Sequence, residues 1–149
     1  MAPNLIPAPG SNVLLMFPHH AAADQRLATE DVIWMTTVTP QGKPQTSLVW
    51  FIIEDGEFLV YSKDGTSRVR NIRSNPLVAL NLDGNGEGGA VVTIEGTARI
   101  DGEAPTAAAH AAYLAKYRAR MDRNKWTPEW FAEHYPVPIR ISFDRGRAW

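Results

Sequence analysis

The chain has 149 residues, no cysteine and a formal charge of −1; 44% of its residues are hydrophobic and 21% charged. That length buries one ordinary core without covalent staples, and the missing cysteine excludes disulfide frameworks, cysteine-ligated zinc, thiol redox chemistry and a cysteine nucleophile. The composition is globular rather than disordered, and apolar stretches such as residues 13–17 and 48–53 fall far short of the roughly 20 residues that cross a bilayer.

Residues 1–12 hold three prolines, a glycine and no charge, and read as a loose lead-in to one domain spanning 1–149. The first basic residue is Arg26, so the start lacks the basic region of a secretory signal and a cytoplasmic setting is expected. Residues 18–29 read as a short helix opened by Pro18. Residues 32–38, rich in β-branched side chains and carrying Trp34, predict a first strand. Thr39-Pro40-Gln41-Gly42 is turn chemistry. Residues 45–54 predict a second strand, apolar without a break from Leu48 to Ile53, which implies burial on both faces, as in a barrel wall against a partner.

Asp55-Gly56 signals a hairpin into a third strand at 58–62. Residues 66–73 form two helical turns stopped by Asn75-Pro76. A fourth strand at 77–82 and a glycine-rich loop at 83–89 follow. The fifth strand covers 90–100, with Gly96 a candidate bulge. Residues 104–121 predict one helix, because His110, Leu114, Tyr117 and Met121 share a face. Thr127 and Pro128 cap and open a short helix ending near Tyr135. Residues 136–149 return to strand, with Ile139, Ile141 and Phe143 alternating against Arg140 and Ser142. The result is a mainly β chain: six antiparallel strands in a small barrel with peripheral helices.

The near-zero charge hides segregation. Residues 63–73 carry a net +3 and residues 116–125 a net +4, which leaves −8 on the remainder. Two basic islands on an acidic body suit a local anionic ligand better than a nucleic-acid duplex. Three other patterns do not carry a site. Gly84-Asn85-Gly86-Glu87-Gly88-Gly89 fits the letters of a dinucleotide motif, but a strand follows it where a helix must receive the pyrophosphate. The alternation of Asp83, Asn85 and Glu87 lacks the closing acid of a calcium loop. His19, His20, His110 and His134 are scattered, without metal spacing, and His110 reads as a packed core histidine.

The first island is more informative. A strand ending in Tyr61, Ser62 and Lys63 runs into a helix that begins with Thr66, Ser67, Arg68 and Arg70. Hydroxyls, cations and unpaired helix N–H groups at one junction are the mixture that holds a phosphate. A solvated basic helix with an ordinary cap is the alternative on residue types alone.

At this point the chain resembles a family. Val38-Thr39-Pro40-Gln41-Gly42-Lys43-Pro44-Gln45, Leu48-Val49-Trp50-Phe51, Tyr61-Ser62, Ser67-Arg68, Arg70-Asn71-Ile72, Asn75-Pro76 and Ile94-Glu95-Gly96-Thr97-Ala98 are similar, in order, to the pyridoxamine 5′-phosphate oxidase-like split β-barrels. Within them the chain most resembles the flavin/deazaflavin oxidoreductases that use coenzyme F420. The C-terminal part, with Tyr113-Leu114-Ala115-Lys116-Tyr117-Arg118 and Trp149, resembles an actinobacterial subgroup.

The resemblance implies a six-stranded split barrel, paired as a homodimer with cofactor sites at the subunit interface. It implies that Ser62 and Arg68 hold the cofactor phosphate, supported by Lys63, Ser67, Arg70 and Asn71. The backbone of Ser47, Leu48, Val49 and Trp50 would run along the tricyclic ring. Flavin-phosphate members often place a second cation after the Ser-Arg pair; here that residue is Val69, which shifts the implication from FMN toward F420. The implied activity is F420H2-dependent reduction of a small conjugated or quinone-like molecule by hydride from C5. FMN-dependent oxidoreduction and non-enzymatic F420 carriage are the alternatives. No catalytic acid is assigned. Tyr61 reads as a proton donor or as packing, Trp50 as a wall for the ring or as core. The second basic island reads as a seat for the anionic oligoglutamate tail of F420 or as a solvated helix end.

Overall fold

The protein is described from a computed structural model over residues 15–149. The lead-in read at residues 1–12 lies outside the described residues. In chain order the elements are α1 (Ala21–Thr29), β1 (Val32–Val38), β2 (Pro44–Trp50), β3 (Ile52–Glu54), β4 (Glu57–Ser62) and α2 (Ser67–Ser74). Then come β5 (Leu77–Asn81), β6 (Val92–Ile100), α3 (Ala111–Arg123), α4 (Pro128–His134), β7 (Val137–Ser142) and β8 (Arg145–Ala148). Among the described residues, no helix is long and apolar enough to cross a membrane.

The strands pair antiparallel in the order β2-β1-β5-β6-β7-β4-β3, with β8 also on β6. The two ends of this path, β2 and β3, are neighbours in the chain, separated only by Phe51. The sheet therefore returns to its own start, as a split barrel. Ile33, Met35, Leu80, Ile94, Phe58, Ile139 and Ile141 fill its interior. A second apolar cluster, containing Leu59, Tyr61, Tyr113, Tyr117 and Phe131, lies beneath the helices.

Eight strands replace the expected six because two predicted strands divide. The stretch 45–54 breaks at Phe51, where the chain leaves one part of the sheet for the other. In the single chain, β2 fully buries only Val49, and Leu48 remains 45% exposed, so the expectation of burial on both faces is not met there. The C-terminal stretch breaks after Ser142. The Asp144 carboxylate accepts hydroxyl protons from Ser142 and Thr97, both at 2.6 Å, and turns the chain into β8.

At Gly96 the ladder to β5 is unbroken, with Val78 opposite, so the residue does not bulge that pairing. On its other side β6 pairs with β8 over Val92–Glu95 and with β7 over Ala98–Ile100. A Cβ on Gly96 would run into the Ser142 carbonyl and the Ile141 side chain. Glycine is required where one strand changes partners at close approach. The Asp55-Gly56 hairpin forms as expected, with φ of 53° and 75° at its two central residues.

The single helix expected over 104–121 is two pieces, a 3-10 turn at Ala107–Ala109 and then α3. His110 makes the break. Its Nδ1 accepts the Tyr113 N–H at 3.2 Å, capping α3, and its Nε2 lies 2.8 Å from Glu54. It is buried, as the sequence suggested, but as a cap. His20 caps α1 in the same way through the Ala23 N–H, which is why that helix begins at Ala21 and not at Pro18. Arg140 ties Glu54 (2.7 Å) to Asp101 (3.0 Å) beside this cap. Burial alone would raise the Glu54 carboxyl; Arg140 and His110 outweigh it and hold the group below its ordinary range.

The break at Phe51 leaves a buried N–H and C=O without strand partners, and α3 supplies them. Tyr117 Oη accepts the Phe51 N–H at 2.7 Å. The same oxygen lies 2.7 Å from the Phe51 carbonyl and 2.8 Å from that of Asp31, one of which takes its proton. Lys116 Nζ donates to the Phe51 carbonyl at 2.8 Å and sits 3.9 Å from the Phe51 ring centroid. Tyr117→Phe keeps the ring but strips the seam, and should lower stability by about 1–3 kcal/mol, the penalty for an unsatisfied buried polar group; equilibrium denaturation checks this.

Burial pushes Lys116 down from 10.5 to about 8. Between those values the unfolded chain binds the extra proton, so stability should rise as pH climbs from about 8 toward 10. Burial raises Tyr61 to about 12, so stability should fall again as the unfolded tyrosine ionises above about pH 10. Lys116→Met should flatten the rise and leave the fall, read as melting temperature against pH.

Candidate functional site

The junction between β4 and α2 opens into a cleft of about 280 Å³. Leu48, Val49 and Trp50 of β2 form one side, and Tyr61, Lys63, Thr66 and Arg68 form the junction itself. Trp126, Phe131 and Tyr135 close the third side from α4 and its flanks. β2 and β4 reach the same cleft because the break at Phe51 folds one end of the sheet back toward the other.

Arg68 is the centre of its polar half. The guanidinium donates to Ser47 Oγ at 3.0 Å and to Ser62 Oγ at 3.5 Å. Burial pushes its pKa down, opposed by Tyr135, and among the described residues no carboxylate pairs with it. Ser62 is fully buried, and its hydroxyl donates to the Lys63 carbonyl at 3.1 Å. The start of α2 is also unfilled. Thr66 occupies the cap position but makes no side-chain cap bond, and the first turn carries no acid. Side chains cap the other three α-helices: His20, His110 and Thr127. The first α2 backbone bond runs from the Arg70 N–H to the Thr66 carbonyl at 3.2 Å, which leaves the amides of Ser67, Arg68 and Val69 without a backbone acceptor. A half-buried guanidinium fork beside the positive end of a helix is built to receive an anion with several oxygens.

The sequence-predicted residues divide. Leu48, Val49, Trp50, Tyr61, Lys63 and Arg68 line the cleft, and Ser47 and Ser62 hold Arg68. Ser67, Arg70 and Asn71 do not line it. Arg70 is spent on the Gly65 carbonyl (2.5 Å) and Ser67 Oγ (3.3 Å). The buried Asn71 amide donates to Thr37 and Gln45, both at 2.9 Å, and fastens α2 to β1 and β2. Tyr61 is packing: its hydroxyl donates to the Pro105 carbonyl at 2.7 Å, so its proton is already committed. Trp50 stacks on Tyr117 at 4.6 Å and on Phe131 at 5.3 Å, which makes it part of the cluster beneath the helices as well as a wall of the cleft.

The aromatic wall was missed. The sequence shows it as four aromatics within ten residues, Trp126, Trp130, Phe131 and Tyr135, but their spacing does not assign them to the cleft. The second basic island is partly spent on structure. Lys116 holds Phe51, Arg120 binds Asp31 at 2.9 Å, and Arg118 lies 3.6 Å from Asp122 on the helix surface. The glycine-rich loop is a hairpin connection, tied by Asn85 Oδ1 accepting from the N–H groups of Glu87 and Gly89.

The family model for pyridoxamine 5′-phosphate oxidase matches residues 20–149. No curated protein matches the chain. Among solved structures, a conserved hypothetical protein of Mycobacterium tuberculosis is similar at 25% identity and a TM-score of 0.67, over 87% of this chain and 82% of that one. An F420 reductase is similar at 20% identity and a TM-score of 0.59, over 83% of this chain and 94% of that one. A heme storage protein of Vibrio cholerae is similar at 15% identity and a TM-score of 0.60, over 83% and 90%. These last two likenesses speak for the fold. The match across 130 of 149 residues goes further: the chain belongs to the pyridoxamine 5′-phosphate oxidase family.

Proposed function

We propose that the cleft binds a flavin-type cofactor by its phosphate, and that the protein is an F420H2-dependent reductase of a small conjugated or quinone-like substrate. One observation carries this reading: Arg68 faces the cleft half-buried, without a carboxylate, beside the unfilled start of α2. An unpaired charge taken out of water is costly, and an arriving phosphate offsets that cost. The backbone of Leu48–Trp50 and the aromatic wall then flank the ring. The bound cofactor supplies the hydride chemistry; the chain binds, orients and excludes water. Tyr61 is not offered as the proton donor, because its hydroxyl is held by Pro105.

Val69 supports the deazaflavin over FMN. It is fully buried in the barrel core, so the place of a second phosphate cation is filled by packing and Arg68 acts with Lys63 alone. The heme of the Vibrio cholerae neighbour has less support: the cleft lining holds no histidine, methionine or cysteine, and of its two tyrosines Tyr61 already donates to the Pro105 carbonyl and Tyr135 is stacked on Phe131. A carrier without turnover has the same cofactor site, and a substrate panel separates it from a reductase.

The cleft is somewhat smaller than the ~300–1,000 Å³ of pockets that enclose drug-sized ligands, and Leu48, which lines it, is also exposed. Leu48 is 45% and Leu77 61% exposed on the outward face of the sheet. We therefore propose a homodimer in which a second copy covers this face and completes the site; sedimentation should show a dimer, and a monomer that binds cofactor tightly would contradict it.

Titration with F420 and FMN side by side tests the main reading. F420 should bind more tightly. Arg68→Ala should weaken binding more than tenfold, the effect of losing a charged hydrogen bond of about 1.5–3 kcal/mol. Unchanged affinity in a folded variant refutes the assignment.

A further inference from the structure

Four aromatic rings stand in one nearly parallel column. Trp50 lies 5° from the plane of Tyr117, Phe131 lies 8° from Trp50, and Tyr135 lies 13° from Phe131 at a centroid distance of 4.4 Å. The column begins in the core, where Tyr117 holds the Phe51 seam, and ends in the cleft at Tyr135. Tyr135 is thus the terminal member, half-buried, with Phe131 as its stacked neighbour. Trp126 leans on the same ring, tilted by 40° at 6.4 Å, and a cation, Lys63, lies over it 5.4 Å from the centroid. Tyr135 lines the same cleft as Lys63 and Arg68, so its ring stands where the aromatic and cationic halves meet.

The electron-rich face of a phenol attracts either a cation or an electron-poor ring. We propose that Tyr135 is the stacking position for the ring system of the bound coenzyme: that ring takes the face Lys63 now covers, extending the column by one member, and Lys63 turns to the coenzyme anion beside Arg68. This rests on the reading of the cleft as a flavin-type cofactor site. The position also selects for oxidation state. The oxidised tricycle is electron-poor and stacks well on a phenol, whereas the reduced ring is electron-rich and stacks less well. Tyr135 therefore holds the oxidised coenzyme preferentially, a property that a purely structural ring would not have.

The test is a titration of wild type, Tyr135→Phe, Tyr135→Trp, Tyr135→Leu and Lys63→Met with whichever of F420 or FMN the wild type binds, in both oxidation states. The reduced form is kept anaerobic. Tyr135→Leu should weaken the oxidised form fivefold or more and the reduced form less. Tyr135→Trp should move the oxidised-to-reduced affinity ratio the other way, and Tyr135→Phe should stay within about threefold of wild type in both. Lys63→Met should weaken both forms equally and leave the ratio unmoved. A folded Tyr135→Leu with an unchanged ratio overturns the proposal while the phosphate site stands. If that variant does not fold, an unchanged ratio in Tyr135→Trp overturns it instead. A wild type that binds neither coenzyme overturns the reading of the cleft and this inference with it.

Discussion

The architecture depends on one residue's backbone. At Phe51 the chain passes from β2 to β3, the two ends of a sheet that must close on itself, and a strand that breaks in a dry interior exposes a polar N–H and C=O. Tyr117 and Lys116 satisfy both groups from a helix 65 and 66 residues away. This coupling fixes α3 against the barrel opening. It also fixes what α3 carries: Tyr117 supports Trp50, Trp50 meets Phe131, and Phe131 meets Tyr135 in the cleft. The cleft wall is thus a continuation of the device that closes the barrel.

The polar half of the site depends on a different economy of charge. The basic residues around α2 are not equivalent. Arg70 is committed to the turn before the helix, and Arg68 is committed to two serine hydroxyls and no carboxylate. Neutral hydroxyls orient a guanidinium without cancelling its charge, which is what a binding residue requires. Asn71 contributes indirectly, by fastening α2 to β1 and β2 so that the helix start stays beside the cleft. Among the described residues no carboxylate partners Arg68, an arrangement that the proposed anion would complete.

Much of this was legible from local chemistry. The first strand, the Asp55-Gly56 hairpin, the start of α2 and the Thr127–Pro128 helix opening all form where turn residues, caps and β-branched runs placed them. What was not legible is decided at long range. No local signal marks Phe51 as a break, because its partners lie in α3. The periodicity around His110 is helical on both sides, and only Glu54 and the Tyr113 N–H reveal a cap. Arg68 was legible as a candidate for an anion because its chemistry and its position at a helix start coincide, and the structure places it in the cleft. Arg70 turns back to Gly65, a local choice that residue types do not reveal, and the partners of Asn71, Thr37 and Gln45, are tertiary facts. The aromatic wall went unread because a short capped helix explained those residues locally, and nothing in their spacing said that they faced β2 and β4.

The proposed function rests on Arg68 and the start of α2 receiving the phosphate of a flavin-type coenzyme. A crystal structure of the protein with F420 or FMN tests it most directly. Phosphate oxygens should lie within hydrogen-bond distance of the Arg68 guanidinium and of the Ser67 and Arg68 amides. A phosphate seated elsewhere on the molecule, with Arg68 still held only by Ser47 and Ser62, would contradict it.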